Sequence, residues 1–305
     1  MFLSAILTAI LIASGGTPAT AVPPAVPSLP AFFSQDFSGT SLKVGKRLTT
    51  NSTYTGYAVT YKSNGLTISG VMNVPKGSGP FPVVVLAHGY IDPKVYKTGQ
   101  GLARERDYLA RKGFVAFHTD YRNHAGSDDD PKVMERLRLG YTEDVINAAL
   151  AIKSSTLPYL DKQRVSLLGR SMGGGIGYNT LVTKPGLYDS AVLFASVSTK
   201  AAENSKKWMP ETFKDFGSPT ANPTFWNSMS AFNYLDRVAD PVLVIHGTSD
   251  STCPIRWADQ AVAQLKKNNK SVKYVTYKGA GHTFYGTTWN KSMAETVSFL
   301  RSTMK

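Results

Sequence analysis

The feature that most constrains the fold is a series of short apolar segments that recur along the chain. Several are continuous runs of apolar residues, as in VVVLA, VSLLG and VLVIHG. An unbroken apolar run of this length is typical of a strand covered on both faces, and such strands belong to parallel sheets. The strands predicted in this way cover residues 65–74, 81–89, 113–120, 164–169, 189–196, 241–247 and 272–279.

Helical patterns lie between these predicted strands. They cover residues 101–111, 141–154, 171–183, 257–267 and 290–304. Alternation of strands and helices predicts a three-layer α/β fold, with a mainly parallel central sheet and helices on both faces. A chain of 305 residues is long enough to build this fold as one large domain.

Residues 197–235 interrupt the alternation, because they lack strand periodicity. They are rich in aromatic residues: Trp208, Phe213, Phe216, Phe225, Trp226, Phe232 and Tyr234. Aromatic side chains dominate the packing of cores and also line binding pockets. Two interpretations stay open: an ordinary excursion packed on the core, or a cap-like insertion that roofs a pocket.

The N-terminus carries an uncharged apolar run followed by small residues, MFLSAILTAILIASGG. Ala19-Thr20-Ala21 offers a cleavage site, so we predict a signal peptide over residues 1–21, secretion to the exterior or cell envelope, and no stable membrane insertion after cleavage. Because no Lys or Arg precedes the run, an uncleaved membrane anchor is the alternative. The stretch VPPAVPSLP predicts an extended proline-rich linker over residues 22–36, followed by a folded domain over residues 37–305.

The chain is strongly basic, with 34 Lys and Arg against 21 Asp and Glu and a formal net charge of +13. Such a charge favours polyanionic neighbours. Because the sequence has no long basic run, zinc-ligand spacing or aromatic RNA-binding pattern, we predict no nucleic-acid partner. The single cysteine, Cys253, excludes an intrachain disulfide.

The segment GRSMG places Ser171 between two glycines, at the junction of a predicted strand and a predicted helix. In a strand-to-helix turn this tight the serine is exposed, and side chains at the glycine positions would collide with neighbouring elements. Ser171 would also stand at a helix N-terminus, which favours developing negative charge. The alternative is a glycine-rich turn with a helix-capping serine.

Two residues after predicted strands are candidate partners for Ser171. His282 follows the last predicted strand in KGAGHTFYG, and Asp250 follows the preceding one in VIHGTSDSTCP. All three residues thus follow the carboxyl end of a strand, and catalytic groups of open α/β sheets gather at that edge. His246 also ends an apolar run and is interpreted as a hydrogen-bonded core histidine.

Taken together, GRSMGG, HGTSDSTCP and GAGHTF resemble the α/β-hydrolase fold, specifically the prolyl oligopeptidase-like group of serine hydrolases that includes dienelactone hydrolase-like and acylaminoacyl peptidase-like enzymes. The resemblance spans residues 66–300 and extends to LAHGY and DYRNHAGSDDD. It implies that His282 takes the Ser171 proton as general base, and that Asp250 orients the imidazole.

The resemblance also implies an oxyanion hole made of two backbone N–H groups. One belongs to Met172, the residue after the nucleophile, and the other to Tyr90, which follows the His88-Gly89 pair. Arg122, at the end of the next predicted strand, is expected to brace the site. This chemistry uses side chains and backbone alone, so neither a metal nor an organic cofactor is predicted.

The expected substrate is a small-molecule or polymer-linked ester. Larger peptidases of this group carry an N-terminal propeller, and the 170 residues that precede Ser171 are too few for one. We therefore predict a secreted carboxylesterase, with a peptidase acting on small peptides as the alternative. A non-catalytic binding module on the same fold is a third possibility.

Overall fold

The structure is a computed structural model that describes residues 27–304. The predicted signal peptide and residues 22–26 of the predicted linker lie outside the described residues. The described chain contains a nine-stranded sheet. Its strands are β1 (Gly39–Thr50), β2 (Tyr54–Ser63), β3 (Leu66–Pro75), β4 (Phe81–Ala87), β5 (Val115–Thr119), β6 (Leu160–Arg170), β7 (Ala191–Phe194), β8 (Val242–Gly247) and β9 (Val272–Tyr277).

The spatial order of the strands is β1-β2-β3-β5-β4-β6-β7-β8-β9. Strands β5, β4, β6, β7, β8 and β9 are mutually parallel, whereas β1, β2 and β3 join antiparallel at one edge. The sheet is therefore mainly parallel, as predicted.

Helices cover both faces of this sheet. They are α1 (Leu29–Phe33), α2 (Ala103–Arg111), α3 (Leu139–Lys153), α4 (Met172–Thr183), α5 (Ala201–Trp208), α6 (Thr212–Phe216), α7 (Pro223–Ser228), α8 (Ile255–Lys267) and α9 (Gly286–Thr303), with a 3-10 helix at Ala231–Arg237. In the described part of the chain, none of them combines the length and apolarity that a membrane-spanning helix needs.

Strand β4 shows why the predicted runs are continuous. Val83 and Val85 belong to the core cluster shared with α3, α4 and α8, whereas Val84 and Leu86 belong to the cluster shared with α2 and α9. All four side chains are fully buried. Because both faces of the strand are covered, both sets must be apolar, and the three-layer prediction is confirmed.

Strands β1 and β2, at the antiparallel edge of the sheet, were not predicted. Most residues of β1 are exposed, and the strand carries Lys43, Lys46 and Arg47. Charged residues are a common way to protect an edge strand from pairing with another chain. An exposed strand of this kind has no apolar run by which it could be recognised.

The predicted start of the folded domain at Phe37 is wrong. Leu29 and Phe32 of α1 are buried in the core, with 0% and 4% of their surface exposed. The Ser28 hydroxyl caps the helix by accepting a hydrogen bond from the Ala31 N–H. The extended-linker prediction failed here because proline is compatible with the first turn of a helix.

Asp120, just after β5, fixes the loop that follows β4. Its carboxylate accepts hydrogen bonds from the Tyr96 hydroxyl at 2.7 Å, the Gly99 N–H at 2.8 Å and the Ser69 hydroxyl at 2.7 Å. Burial opposes ionisation, but the nearby His118 imidazole and the hydrogen bonds from Gly99 and Tyr96 prevail and lower the pKa of Asp120 to about 2.

We expect Asp120 to make folding stability depend on pH in the acid range. Its pKa is lower in the folded protein than the value of about 3.9 in an unfolded chain, so folding favours the carboxylate. The contribution, on the order of 2 kcal/mol, is present above about pH 4 and is lost as the pH falls towards 2.

Urea unfolding of the wild type and of Asp120→Asn between pH 7 and 2 measures this contribution. The free energies of unfolding should differ at pH 7 and converge at pH 2, whereas the exposed Asp129→Asn should match the wild type throughout. A difference that persists unchanged at pH 2 would contradict the assignment.

Candidate active site

Ser171 lies in the one-residue turn between β6 and α4, with φ of 57° and ψ of −121°. A positive φ is unfavourable for a residue with a side chain, so the surroundings must hold it. The Ser171 N–H donates to the Phe194 carbonyl at 3.0 Å. A Cβ on Gly169 would lie 2.2 Å from the Gly173 carbonyl oxygen, and one on Gly173 would lie 1.9 Å from that of Ala87. Both glycines are thus required by close backbone contacts.

The structure brings Ser171, His282 and Asp250 into one hydrogen-bonded chain. The Ser171 Oγ lies 3.0 Å from His282 Nε2, and His282 Nδ1 lies 2.8 Å from Asp250 Oδ2. The Asp250 side chain is buried, whereas 20% of the His282 side chain is exposed. These distances suit proton transfer from the hydroxyl to an imidazole that a carboxylate orients.

Asp250 is held as a carboxylate by its own loop. Its Oδ1 accepts the N–H groups of Thr252 at 2.9 Å and Cys253 at 2.8 Å. Burial opposes ionisation, but contacts with His246 and His282 and the Cys253 N–H hold the pKa of Asp250 well below its usual range. The group therefore carries the negative charge that stabilises a protonated His282.

His246 has a larger part in this site than the sequence indicated. Its ring is fully buried, and Nε2 contacts the Cys253 carbonyl oxygen at 2.7 Å and Asp250 Oδ2 at 3.4 Å. Because an Nε2–H would donate to the Cys253 carbonyl, the ring ties β8 to the Asp250 loop. The spacing of four residues between His246 and Asp250 is the sequence signal that could have indicated this contact.

The two predicted oxyanion-hole residues lie beside Ser171. Tyr90 follows β4 and Met172 is the first residue of α4; both line the cavity that contains Ser171. The loop that follows β4 lies close to Ser171, since a Cβ on Gly89 would lie 3.1 Å from the Ser171 Cβ. Within residues 27–304 neither backbone N–H donates a hydrogen bond, so both are free to bind a developing oxyanion.

His88 packs against residues of the loop that follows β4 and holds the start of that loop in place. Its buried ring stacks on Tyr121 at a centroid distance of 4.2 Å and on Tyr96 at 4.7 Å. Nδ1 contacts the Gly89 carbonyl oxygen at 2.7 Å. Burial lowers the pKa of His88 to about 3, so the ring is neutral near pH 7 and packs as an aromatic group.

Arg122 forms a buried ion-pair network away from the nucleophile. Its guanidinium contacts Asp144 at 2.8 Å, Glu143 at 2.6 Å and Asp130 at 2.9 Å. Burial opposes its charge, but the attraction of these carboxylates raises its pKa above the usual value. Arg122 thus joins the loop after β5 to α3 and is not among the described residues that line the Ser171 cavity, so its bracing of the site stays a prediction.

Arg170, directly before Ser171, was not singled out in the sequence. Its guanidinium donates to the His282 carbonyl at 3.2 Å and to the Thr283 hydroxyl at 2.6 Å. These bonds fasten the histidine loop to the end of β6. Its position next to the nucleophile was the available signal, but the partner across 112 residues could not be read from the sequence.

The nucleophile opens into a cavity of about 490 Å³. None of the described residues that line it is Asp or Glu. They are Tyr90, Leu137, Arg138, Leu139, Tyr141, Ser171, Met172, Gly175, Ile176, Asn179, Val197, Ser198, Thr199, Ala201, Asn204, Ser205, Trp208, Met209, Met229, Thr252 and His282.

Residues 197–235 contribute both to the cavity and to the core. Its first part, which includes α5, lines the cavity beside Ser171, and so does Met229. Phe225, Trp226 and Leu235 are buried in the main core. One part of the segment therefore supplies cavity-lining residues and another part packs in the core.

Cys253 lies next to the site but is a poor nucleophile. It is fully buried, and burial raises the pKa of its thiol to about 12.

Among residues 27–304, no three His, Cys, Asp or Glu side chains are grouped so that they could hold a metal ion.

The nine-stranded sheet, the strained serine turn and the Ser-His-Asp geometry define a serine hydrolase with the α/β-hydrolase fold. Residues 101–305 match the model of the prolyl oligopeptidase family. The chain belongs to that family.

Relatives in sequence include peptidases and thioesterases. The uncharacterized peptidase YtmA of Bacillus subtilis (strain 168) is 25% identical over 75% of this chain and 86% of that protein. Human acyl-coenzyme A thioesterase 1 is 33% identical over 70% of this chain and 52% of that protein. This chain spans 37% of the length of another relative, the uncharacterized peptidase YuxL of Bacillus subtilis (strain 168).

Solved structures share the fold. An acylaminoacyl peptidase in complex with Z-Gly-Gly-Phe-chloromethyl ketone superposes with a TM-score of 0.69 and 21% identity, over 83% of this chain and 42% of that chain. Acetyl xylan esterase 1 from Thermoanaerobacterium sp. JW/SL YS485 superposes with a TM-score of 0.66 and 19% identity, over 90% of this chain and 95% of that chain.

Replacing Gly173 by alanine should disrupt the serine turn. Because the new Cβ would lie 1.9 Å from the Ala87 carbonyl oxygen, β4 or α4 must shift. We expect a loss of about 2–3 kcal/mol in the free energy of unfolding. Gly126→Ala is the control, since its Cβ would meet Ser69 at an ordinary 3.6 Å. Equal stabilities in chemical denaturation would show that the turn does not need this glycine.

Replacing Arg170 by methionine should lower kcat. The variant keeps the apolar stem but loses both hydrogen bonds to the histidine loop, and a displacement of about 1 Å in a catalytic group costs ~100-fold in rate. Turnover of an activated ester should fall by about 10- to 100-fold with little change in KM. Thr283→Val, which removes one of the two bonds, should lose less. Unchanged kcat in Arg170→Met would refute the role.

Proposed function

We propose that the protein is a carboxylesterase that cleaves carboxylic esters through an acyl-enzyme on Ser171. The observation that carries the proposal is the hydrogen-bonded chain from Ser171 through His282 to Asp250, beside a cavity without lining carboxylates. Secretion is part of the proposal and rests on the sequence of residues 1–21.

The reaction follows from the positions of the hydrogen bonds. Ser171 Oγ attacks the ester carbonyl carbon while His282 Nε2 takes its proton, and the Asp250 carboxylate stabilises the resulting imidazolium. The N–H groups of Tyr90 and Met172 bind the oxyanion of the tetrahedral intermediate. The imidazolium then protonates the leaving alcohol, and a water molecule activated by His282 hydrolyses the acyl-enzyme.

The composition of the cavity favours esters over peptides with a free amino terminus. An ammonium group in a partly closed cavity needs a carboxylate to offset its desolvation. No lining residue of the described chain supplies one near Ser171. An ester of moderate size needs no such partner and can use the apolar walls formed by Leu137, Ile176 and Met229.

The second candidate function is that of a peptidase acting on small peptides. It is favoured by the family match and by the names of relatives such as YtmA. The same catalytic groups cleave amides, because His282 can protonate a departing amine as it protonates an alcohol. The two candidates differ in the leaving group and therefore need substrates that differ there alone.

The test compares N-acetylalanine p-nitrophenyl ester with N-acetylalanine p-nitroanilide, which share the acyl part and differ only in the leaving group. We expect Ser171-dependent turnover of the ester and negligible cleavage of the anilide. Acetate, butyrate and octanoate p-nitrophenyl esters then measure the depth of the cavity. Aminoacyl and X-Pro p-nitroanilides test the peptidase alternative on free amino termini.

Ser171→Ala should lose nearly all turnover, since removing the triad serine costs about 10⁶-fold in comparable enzymes. Ser302→Ala, on the exposed end of α9, is the matched control and should retain full activity. Ser171-dependent cleavage of the anilides would make the protein a peptidase. Absence of detectable turnover with every one of these substrates would favour the non-catalytic binding module.

A further inference from the structure

The cavity contains a cation with no counterion from the described chain. Arg138 stands between the loop after β5 and α3, with φ of 63°. Its N–H donates to the Val133 carbonyl at 2.8 Å, and its own carbonyl accepts from the Tyr141 N–H at 3.0 Å. The backbone is thus fixed, and the half-buried side chain lines the cavity.

The Arg138 guanidinium packs against the two residues of the oxyanion hole. Its central carbon lies 4.8 Å from the centre of the Tyr90 ring, and Nη1 lies 3.9 Å from the Met172 sulfur. A ring face and a thioether position the guanidinium without neutralising it. One Nη1 N–H is directed at the thioether, whereas the remaining guanidinium N–H groups have no hydrogen-bond acceptor among residues 27–304.

Acidic side chains of the same region bind other arginines. Arg122 pairs with Asp130, Glu143 and Asp144, and Arg136 lies 3.8 Å from Glu143. Across residues 27–304 no carboxylate oxygen lies within 4.0 Å of the Arg138 guanidinium. The cavity lining adds neither Asp nor Glu. A substrate anion would supply the missing counterion.

We propose that Arg138 selects esters whose acyl part carries a carboxylate, such as monoesters of dicarboxylic acids. This inference rests on the proposed esterase function. The acyl side is assigned because His282 protonates the leaving group, whereas Arg138 contacts the residues that bind the carbonyl oxygen. The net charge of +13 acts in the same direction, since it attracts anionic substrates to the protein.

The test compares phenyl hydrogen adipate with phenyl hexanoate, which share the leaving group and six-carbon acyl chain but differ in the terminal carboxylate. The wild type should prefer the adipate in kcat/KM after correction for spontaneous hydrolysis. Arg138→Gln should lower kcat/KM for the adipate by about 10- to 100-fold, as expected for loss of a charged hydrogen bond. Any loss for the hexanoate in the same variant measures a general effect on the site, and it should be clearly smaller than the loss for the adipate.

Two further variants separate the contact from general charge. Arg138→Lys keeps the charge without the planar pair of donors and should recover part of the adipate preference. Lys132→Gln removes one positive charge from an exposed position of the same loop and should leave the preference unchanged. Equal losses in Lys132→Gln and Arg138→Gln would overturn the proposal.

Binding to the Ser171→Ala protein keeps this test independent of turnover. By calorimetry, phenyl hydrogen adipate should bind at least about tenfold more weakly when Arg138→Gln is added. Absence of that loss would refute Arg138 selection even if neutral esters are cleaved. Loss of binding with no ester turnover by the wild type would refute the esterase proposal and retain the Arg138 contact. A preference for 4-acetoxybenzoate over phenyl acetate without an adipate preference would place the anion on the leaving group and contradict the acyl assignment.

Discussion

The site depends on one sterically demanding turn, in which β6 passes into α4 through Ser171 with φ of 57°. The turn brings the serine hydroxyl out of the sheet edge and starts a helix at Met172, whose backbone N–H has no intrahelical acceptor. Contacts this close need glycine at 169 and 173, because a side chain there would meet backbone oxygen about 2 Å away. Without this conformation the His282 loop would have no hydroxyl to bind.

The other two catalytic residues, Asp250 and His282, lie in loops. Loops must be held in place if their side chains are to act with precision. Strand order brings their anchors to the same edge, since β8 precedes Asp250 and β9 precedes His282. Two buried side chains then tie the loops down. His246 contacts the Asp250 loop, and Arg170 donates to the His282 loop. The positions of the catalytic side chains therefore depend on contacts made by residues that do not themselves react.

The sequence predicts the parts of this structure that obey a local rule. Buried parallel strands such as β4 need apolar residues on both faces, and a tight turn at Ser171 needs glycine; both requirements are visible in a few consecutive letters. The exposed strand β1 has no such requirement, so it was missed. Helix α1 was mistaken for a linker because its burial depends on contacts with residues far along the chain.

The interior of the cavity could not be predicted for the same reason. Arg138, Tyr90 and Met172 meet although they come from three separate segments, and neither periodicity nor spacing expresses that meeting. Likewise, the aromatic residues of 197–235 indicated burial but not which part would face Ser171. The cavity lining is thus assembled from loops, from α3 and α4 and from residues 197–235, whereas the catalytic residues follow the strand ends.

Labelling with a fluorophosphonate decides whether Ser171 is an activated nucleophile in the folded protein. The geometry predicts one phosphonyl group per molecule, located on the Ser171 peptide by mass spectrometry, and its absence after His282→Ala. An unlabelled protein, or a label on a different residue such as Cys253, would contradict the assignment of the catalytic chain.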